Sequence, residues 1–288
     1  MTELRPGTRV VRSFDGTELA AHSFGTGEDI PLLLVNAIGP DLSPWRCVVE
    51  QLESSRPMLS WDLRGLHGSG EPRTERIDAP AHAEDAIAVL DDAGVESFAV
   101  AAWSTGTRIA LEIARSYPER VKSLVIVSGG FGRGFRGLFR YLEVTSIFPF
   151  GAGIAKHFAP ALEGPFRSFV QRPEIAGVVR QSGIIGPKAN IEVLVEVLQS
   201  FADSDLKTLL TIYEEIVGDA DPAILGEVQA PTLLVTGKRD RFTTQAMVDS
   251  MLARLPSAEK VIYEKASHFL PLEYPERLAA DITAFARS

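Results

Sequence analysis

Eight short apolar runs punctuate the chain, and the segments between them set the architecture. The first two, Thr8–Phe14 and Thr17–Phe24, mix polar and apolar positions around Asp15-Gly16, a two-residue hairpin signal. The next six are mostly continuous: 31–36 (PLLLVN), 58–62 (MLSWD), 97–102 (SFAVAA), 123–128 (SLVIVS), 231–237 (PTLLVTG) and 260–264 (KVIYE). Strands covered by helices on both faces read this way. Helical spacing alternates with them. The stretch 79–94 stops at Gly94, and a second, after Thr105, stops near Pro118. The segment 243–256 precedes a strand, and 274–288 carries Pro275, suited to a first helical turn. The pattern predicts an α/β fold: a mostly parallel eight-stranded sheet flanked by helices and opened by an antiparallel hairpin.

From about Phe131 to Glu227 the alternation breaks. Leu206, Leu209, Leu210, Tyr213, Ile216 and Val217 make one helical stripe; Ile191, Leu194, Val195, Leu198 and Phe201 make another. Gly and Pro interrupt the region at 148–153 (FPFGAG) and 184–190 (IIGPKAN). The expectation is a helical cap inserted between two sheet strands. It divides the chain into a first core part, 1–130, the cap, 131–227, and a second core part, 228–288.

Composition narrows the function classes. With 45% hydrophobic and 23% charged residues, the chain can bury a sizeable core. Its 38 acidic and 29 basic residues leave a formal charge of −9, which argues against a nucleic-acid partner. The single cysteine, Cys47, permits no internal disulfide and no cysteine metal cluster. No apolar run approaches the ~20 residues of a transmembrane segment. The opening residues, MTELRPGTRVVRSFDG, lack the apolar core of a signal peptide. A cytoplasmic protein without metal or other cofactor is expected.

Candidate chemistry begins at Ser104. The run 97–103 is strand-like, and helical spacing starts directly after the serine. A tight strand-to-helix turn exposes a hydroxyl and aims backbone N–H groups at its surroundings. The positions two before and two after must be small, and they are Ala102 and Gly106. The pentapeptide Ala-Trp-Ser-Thr-Gly is a variant of G-x-S-x-G, with alanine for the first glycine.

With these features the chain resembles the α/β-hydrolase-fold serine hydrolases over nearly its whole length. That resemblance implies a triad in the order serine, acid, histidine. Gly237-Lys238-Arg239-Asp240 matches the family's G-x-x-D, so Asp240 is the implied acid. His268, followed at family spacing by Glu273, Pro275 and Glu276, is the implied base. Ser128 stands where some members place the acid, which leaves Asp240 as the candidate. His22, His67, His82 and His157 lack such motifs and are read as packing or surface residues. A serine nucleophile sets aside the dehalogenase and epoxide hydrolase activities, which use aspartate.

The same resemblance implies an oxyanion hole from the backbone N–H groups of Thr105 and Ile38, the latter in the loop Asn36-Ala37-Ile38. Asn36 and Ala37 depart from the family's usual His-Gly. Asp62, Arg64, Gly65 and Ser69 keep most of the family's D-x-R-G-x-G-x-S, with Gly68 one place late; this stretch is read as a supporting turn. Cys47 is read as a small buried hydrophobe. Phe135, Leu138, Phe139 and Leu142 follow the spacing of a cap helix packing an apolar stripe on the core. The alternative makes Phe131, Phe135 and Phe139 the lining of an acyl pocket, and with Trp103, in the pocket wall or the core, they are the candidate substrate-binding residues. The implied activity is a carboxylesterase acting on a small hydrophobic ester. Thioester, lactone and C–C hydrolysis, acyl transfer and cofactor-free perhydrolysis use similar sites, and a low-turnover small-molecule receptor or an inactive scaffold would share the fold.

Overall fold

The computed structural model describes residues 7–131, 161, 163–165, 167–172, 174–217 and 221–286. The apolar runs form β1 (Gly7–Arg12), β2 (Glu18–Phe24), β3 (Leu32–Val35), β4 (Met58–Trp61), β5 (Phe98–Trp103), β6 (Val121–Val127), β7 (Thr232–Gly237) and β8 (Ala258–Tyr263). They make one eight-stranded sheet in the order β1-β2-β4-β3-β5-β6-β7-β8. β2 pairs antiparallel with β1 and β4, and every other pair is parallel. The hairpin turns at Gly16, whose φ of 86° suits a residue without Cβ.

Before the inserted region lie α1 (Arg46–Leu52), α2 (Ala79–Asp92) and α3 (Gly106–Ser116). Asp78 caps α2 by accepting the Ala81 N–H at 2.8 Å. Gly94, at φ 68°, follows its end. The sheet buries both faces, as the continuous apolar runs require. On one side Val100 and Ala102 of β5 join Ala86 and Leu90 of α2 and Ile109 and Ile113 of α3. On the other, Ala99, Ala101 and Trp103 join Val48 of α1 and the C-terminal helix. The alternation along β5 is the period of two that a strand imposes.

Between β6 and β7 the labelled helices are α4 (Ile175–Gln181), α5 (Ile191–Asp203), α6 (Leu206–Val217) and α7 (Ile224–Glu227). After β7 come α8 (Gln245–Leu252), α9 (Leu270–Glu273) and α10 (Pro275–Phe285). Leu206, Leu209, Leu210, Tyr213 and Ile216 of α6 are buried in the α2–α3 core, along the stripe the spacing predicts. The Val217 side chain lies outside the described residues. The buried face of α5 differs from its expected stripe. Val193, Leu194 and Val197 are buried, whereas Ile191, Val195, Leu198 and Phe201 are only partly covered. α5 serves two surfaces at once: Val193 and Leu194 pack with Cys47, Ile185 and Leu272, while Phe201 reaches Gly39.

A buried polar cluster ties the opening hairpin to the helices. Arg64 donates to Asp85 at 2.8 Å and to Asp15 at 3.0 Å, and Ser13 also donates to Asp85. No helix among the described residues is long and apolar enough to cross a membrane.

Candidate active site

The strand order reverses between β3 and β5: from β3 the chain goes to β4 on one side and then to β5 on the other. Crevices at such a reversal, beyond the carboxyl ends of the strands, are where α/β sheets bind ligands. Ser104 follows β5 there, and the loop 36–42 follows β3 opposite it.

Ser104 sits at φ 54°, the left-handed region that a non-glycine residue enters only when its surroundings hold it there. Its N–H donates to Val127 O at 3.0 Å and its carbonyl accepts from Thr107 N at 3.1 Å, which fixes the turn at both ends. Gly106 makes the turn possible. A Cβ there would lie 2.4 Å from Asn36 O and 2.9 Å from Val35 O, so any other residue would push the end of β3 away.

Two loops bring the partners to this serine. Asp240 follows β7; one carboxylate oxygen accepts the N–H groups of Phe242 and Thr243, both at 2.8 Å. The other oxygen is 2.9 Å from His268 Nδ1. A carboxylate only accepts, so Nδ1 carries a proton and Nε2 is left to accept. His268 Nε2 is 2.8 Å from Ser104 Oγ. The three groups form one continuous line of hydrogen bonds, and all three residues are buried. Such a line can move a proton from the hydroxyl to the imidazole while the carboxylate stabilises the resulting charge. Gly237 lets the histidine loop approach, since a Cβ there would meet Ser267 O at 2.3 Å.

The loop after β3 is closed on itself by Asn36, whose Nδ2 donates to Pro40 O at 2.8 Å and to Asp41 O. Gly39 O accepts from His67 Nε2 at 2.7 Å and from Ser204 Oγ at 2.8 Å. Thus α5 grips this loop from above, with Ser200 Oγ also accepting the Asp41 N–H at 3.2 Å. Ile38 N–H donates to Thr105 Oγ1 at 2.7 Å. The Thr105 N–H, at the start of α3, has no acceptor among the described residues.

The other site candidates divide. Trp103 is 3% exposed, lies in the core, and donates its Nε1–H to His268 O at 3.1 Å. It therefore holds the histidine backbone beside Ser104. Phe131 is partly covered on the α2–α3 side, with the Arg108 guanidinium 5.7 Å from its ring centre. Phe135 and Phe139 lie outside the described residues, as does His157. His22 pairs with Asp62 at 3.1 Å, and His82 is fully buried. Burial first, then the Glu50 charge, push the Cys47 thiol up, which disfavours its nucleophilic thiolate.

The role of Glu273 is not visible in the motif spacing that includes it. This carboxylate is 4% exposed and accepts from Ser267 N at 3.0 Å, from Ser267 Oγ and from Gly186 N at 2.9 Å. It braces the residue beside His268. An acidic residue surrounded by apolar ones, as in LPLEYP, was the available signal.

A sequence model of the alpha/beta hydrolase fold family matches residues 30–275. The dihydrolipoyllysine-residue acetyltransferase component of the acetoin cleaving system of Pseudomonas putida is 26% identical over 89% of this chain. The match spans 63% of that longer protein. The pimeloyl-[acyl-carrier protein] methyl ester esterase of Nitrosomonas europaea is 25% identical over 90% of this chain and 96% of its own. Among solved structures, a membrane phospholipase A described as a bacterial virulence factor superposes with a TM-score of 0.74 at 23% identity, covering 98% of this chain and 86% of that one.

Proposed function

The chain belongs to the α/β hydrolase fold family, and we propose that within it this protein is a serine hydrolase cleaving a carboxylic ester of a small hydrophobic substrate. The observation that carries this reading is the unbroken line from Ser104 Oγ through His268 to Asp240, at 2.8 and 2.9 Å. It starts from a serine held at positive φ.

In the proposed course, Ser104 Oγ attacks the ester carbonyl carbon as His268 Nε2 takes its proton. Asp240 holds the imidazole in the tautomer that accepts, and stabilises the imidazolium. The carbonyl oxygen becomes an oxyanion beside the Thr105 N–H at the start of α3, where the helix dipole favours negative charge. Collapse of the tetrahedral intermediate expels the alcohol, which receives the proton from His268. Water, activated by the same imidazole, then releases the acid and restores Ser104. No step needs a metal or cofactor.

We read residues 131–227 as a cap over this site. Support comes from the hydrogen bonds of Ser200 and Ser204 to the loop after β3. A phenylalanine-rich entry to that region, Phe131, Phe135 and Phe139, favours an apolar acyl or ring-bearing substrate. The esterase relative acts on a methyl ester of a carrier-bound acyl chain, which fits ester chemistry here. A single, buried cysteine fits the cytoplasmic setting expected from the sequence.

Hydrolysis of p-nitrophenyl esters over a chain-length series tests the proposal. Turnover should be measurable in the wild type, peak at one chain length, and vanish in Ser104→Ala. Equal turnover in both proteins would contradict it.

A further inference from the structure

We infer that the side-chain hydroxyl of Thr105, polarised by the Ile38 N–H, is the second hydrogen-bond donor to the oxyanion. The inference rests on the reading of Ser104 as the nucleophile. It assigns to one residue both a main-chain and a side-chain donor, and moves Ile38 one bond back from the reacting oxygen.

The geometry begins with the 2.7 Å bond from Ile38 N to Thr105 Oγ1. The Ile38 N–H is the group expected to meet the oxyanion, and here it is engaged by a hydroxyl. A hydroxyl that accepts one hydrogen bond still has a proton to give. Among the described residues that proton has no acceptor, and Thr105 is 6% exposed. An unspent buried donor costs about 1–3 kcal/mol, so this O–H is poised for an acceptor that arrives with the substrate. Thr105 follows Ser104 directly, so the hydroxyl is carried by the same residue as the free N–H.

The loop after β3 is held against simple withdrawal of Ile38. Asn36 closes it through Pro40 O and Asp41 O, and His67 and Ser204 hold Gly39 O. A hydrogen bond received from Ile38 strengthens the one Thr105 then donates, because chained hydrogen bonds polarise one another. No proton is transferred: the O–H stays intact and stabilises negative charge on the former carbonyl oxygen. The rival arrangement has the hydroxyl as a plug that must swing away to free Ile38. The two make opposite predictions for removal of the hydroxyl at constant shape.

The experiment compares wild type, Thr105→Val, Thr105→Ser and Ser104→Ala as full-length chains. The first readout is kcat and KM for p-nitrophenyl butyrate. The second is the rate of Ser104 phosphonylation by a fluorophosphonate, which develops charge at the same donors. Expected is a fall in kcat on the order of 10²-fold in Thr105→Val, the size for one lost oxyanion donor. KM should change little, because the bond is made only in the transition state. Phosphonylation should slow in parallel, and Thr105→Ser should recover most of both rates. An unchanged or raised rate in Thr105→Val, with Ser104→Ala inactive, would overturn this inference and leave the nucleophile standing. Turnover and labelling that persist in Ser104→Ala would overturn both.

Discussion

Gly186 N–H lies 2.9 Å from Glu273 Oε1, so a buried carboxylate joins the inserted helices to the loop that carries His268. The approach depends on glycine: a Cβ at 186 would fall 2.5 Å from Glu273 Oε2. The same carboxylate holds Ser267 through both its N–H and its hydroxyl.

Gly186→Ala should therefore disturb two places at once. Overpacking of this kind costs about 1–3 kcal/mol, and the displaced carboxylate should lower kcat by shifting the His268 loop. Glu273→Gln turns an amide N–H₂ towards donors and should cost about 1.5–3 kcal/mol, the range for hydrogen bonds to a charged group. Urea unfolding and ester turnover check both. Two variants as stable and as active as wild type would remove the brace from the account.

Stability should fall in acid through His82. Burial first, then the Arg64 charge, lower its pKa from the ordinary 6.5 to about 3; Asp78 opposes the shift. Its ring nitrogens make no hydrogen bond among the described residues, and Asp85 is 3.8 Å away. The folded chain keeps the imidazole neutral, whereas the unfolded chain takes up a proton below 6.5. The stabilisation is thus complete above 6.5 and is lost as pH falls towards 3. The slope attributable to one proton is at most about 1.4 kcal/mol per pH unit. His82→Leu breaks no hydrogen bond and should flatten this part of the profile. A variant that loses stability as steeply as wild type across that window would contradict the assignment.

Gly106→Ala should be among the most damaging small substitutions in the chain. Its methyl group would meet the backbone carbonyl oxygen of Asn36 at 2.4 Å, with no flexible side chain to yield. A loss of about 1–3 kcal/mol and collapse of ester turnover are expected, because the contact displaces the turn bearing Ser104. Near-normal kcat in this variant would show that the turn tolerates a wider spacing.

The Arg46–Glu196 pair, at 2.6 Å between α1 and α5, should matter little to stability. Its glutamate side chain is 40% exposed, and screened pairs of this sort contribute about 0–1 kcal/mol. Glu196→Gln should leave the unfolding midpoint nearly unchanged. A large drop would mean that α5 is held by charge rather than by Val193, Leu194 and Val197.

The parts written most clearly in the sequence were those set by local pattern. Leu32–Val35 and Phe98–Trp103 read as buried strands because both faces are covered, and Asp15-Gly16 marked the hairpin. Ser104, Asp240 and His268 were legible through motif spacing, and they meet in space. What stayed hidden depends on contacts between distant segments. α1 is seven residues long with no side-chain cap, too short to announce itself. The most buried face of α5 is offset from the stripe its spacing predicts because two surfaces, not one, cover it. The Ile38 bond to Thr105 spans 67 positions and the Gly186 bond to Glu273 spans 87, and no local pattern encodes either.

Mass spectrometry after treatment with a fluorophosphonate decides whether Ser104 is the nucleophile. One phosphonyl group per chain should appear, on the peptide containing Ser104, and none in Ser104→Ala. His268→Ala should slow the labelling by about 10²-fold or more, the size of a lost general base. Label on another residue, or labelling unaffected by the loss of His268, would contradict the assignment of this line of hydrogen bonds as the catalytic one.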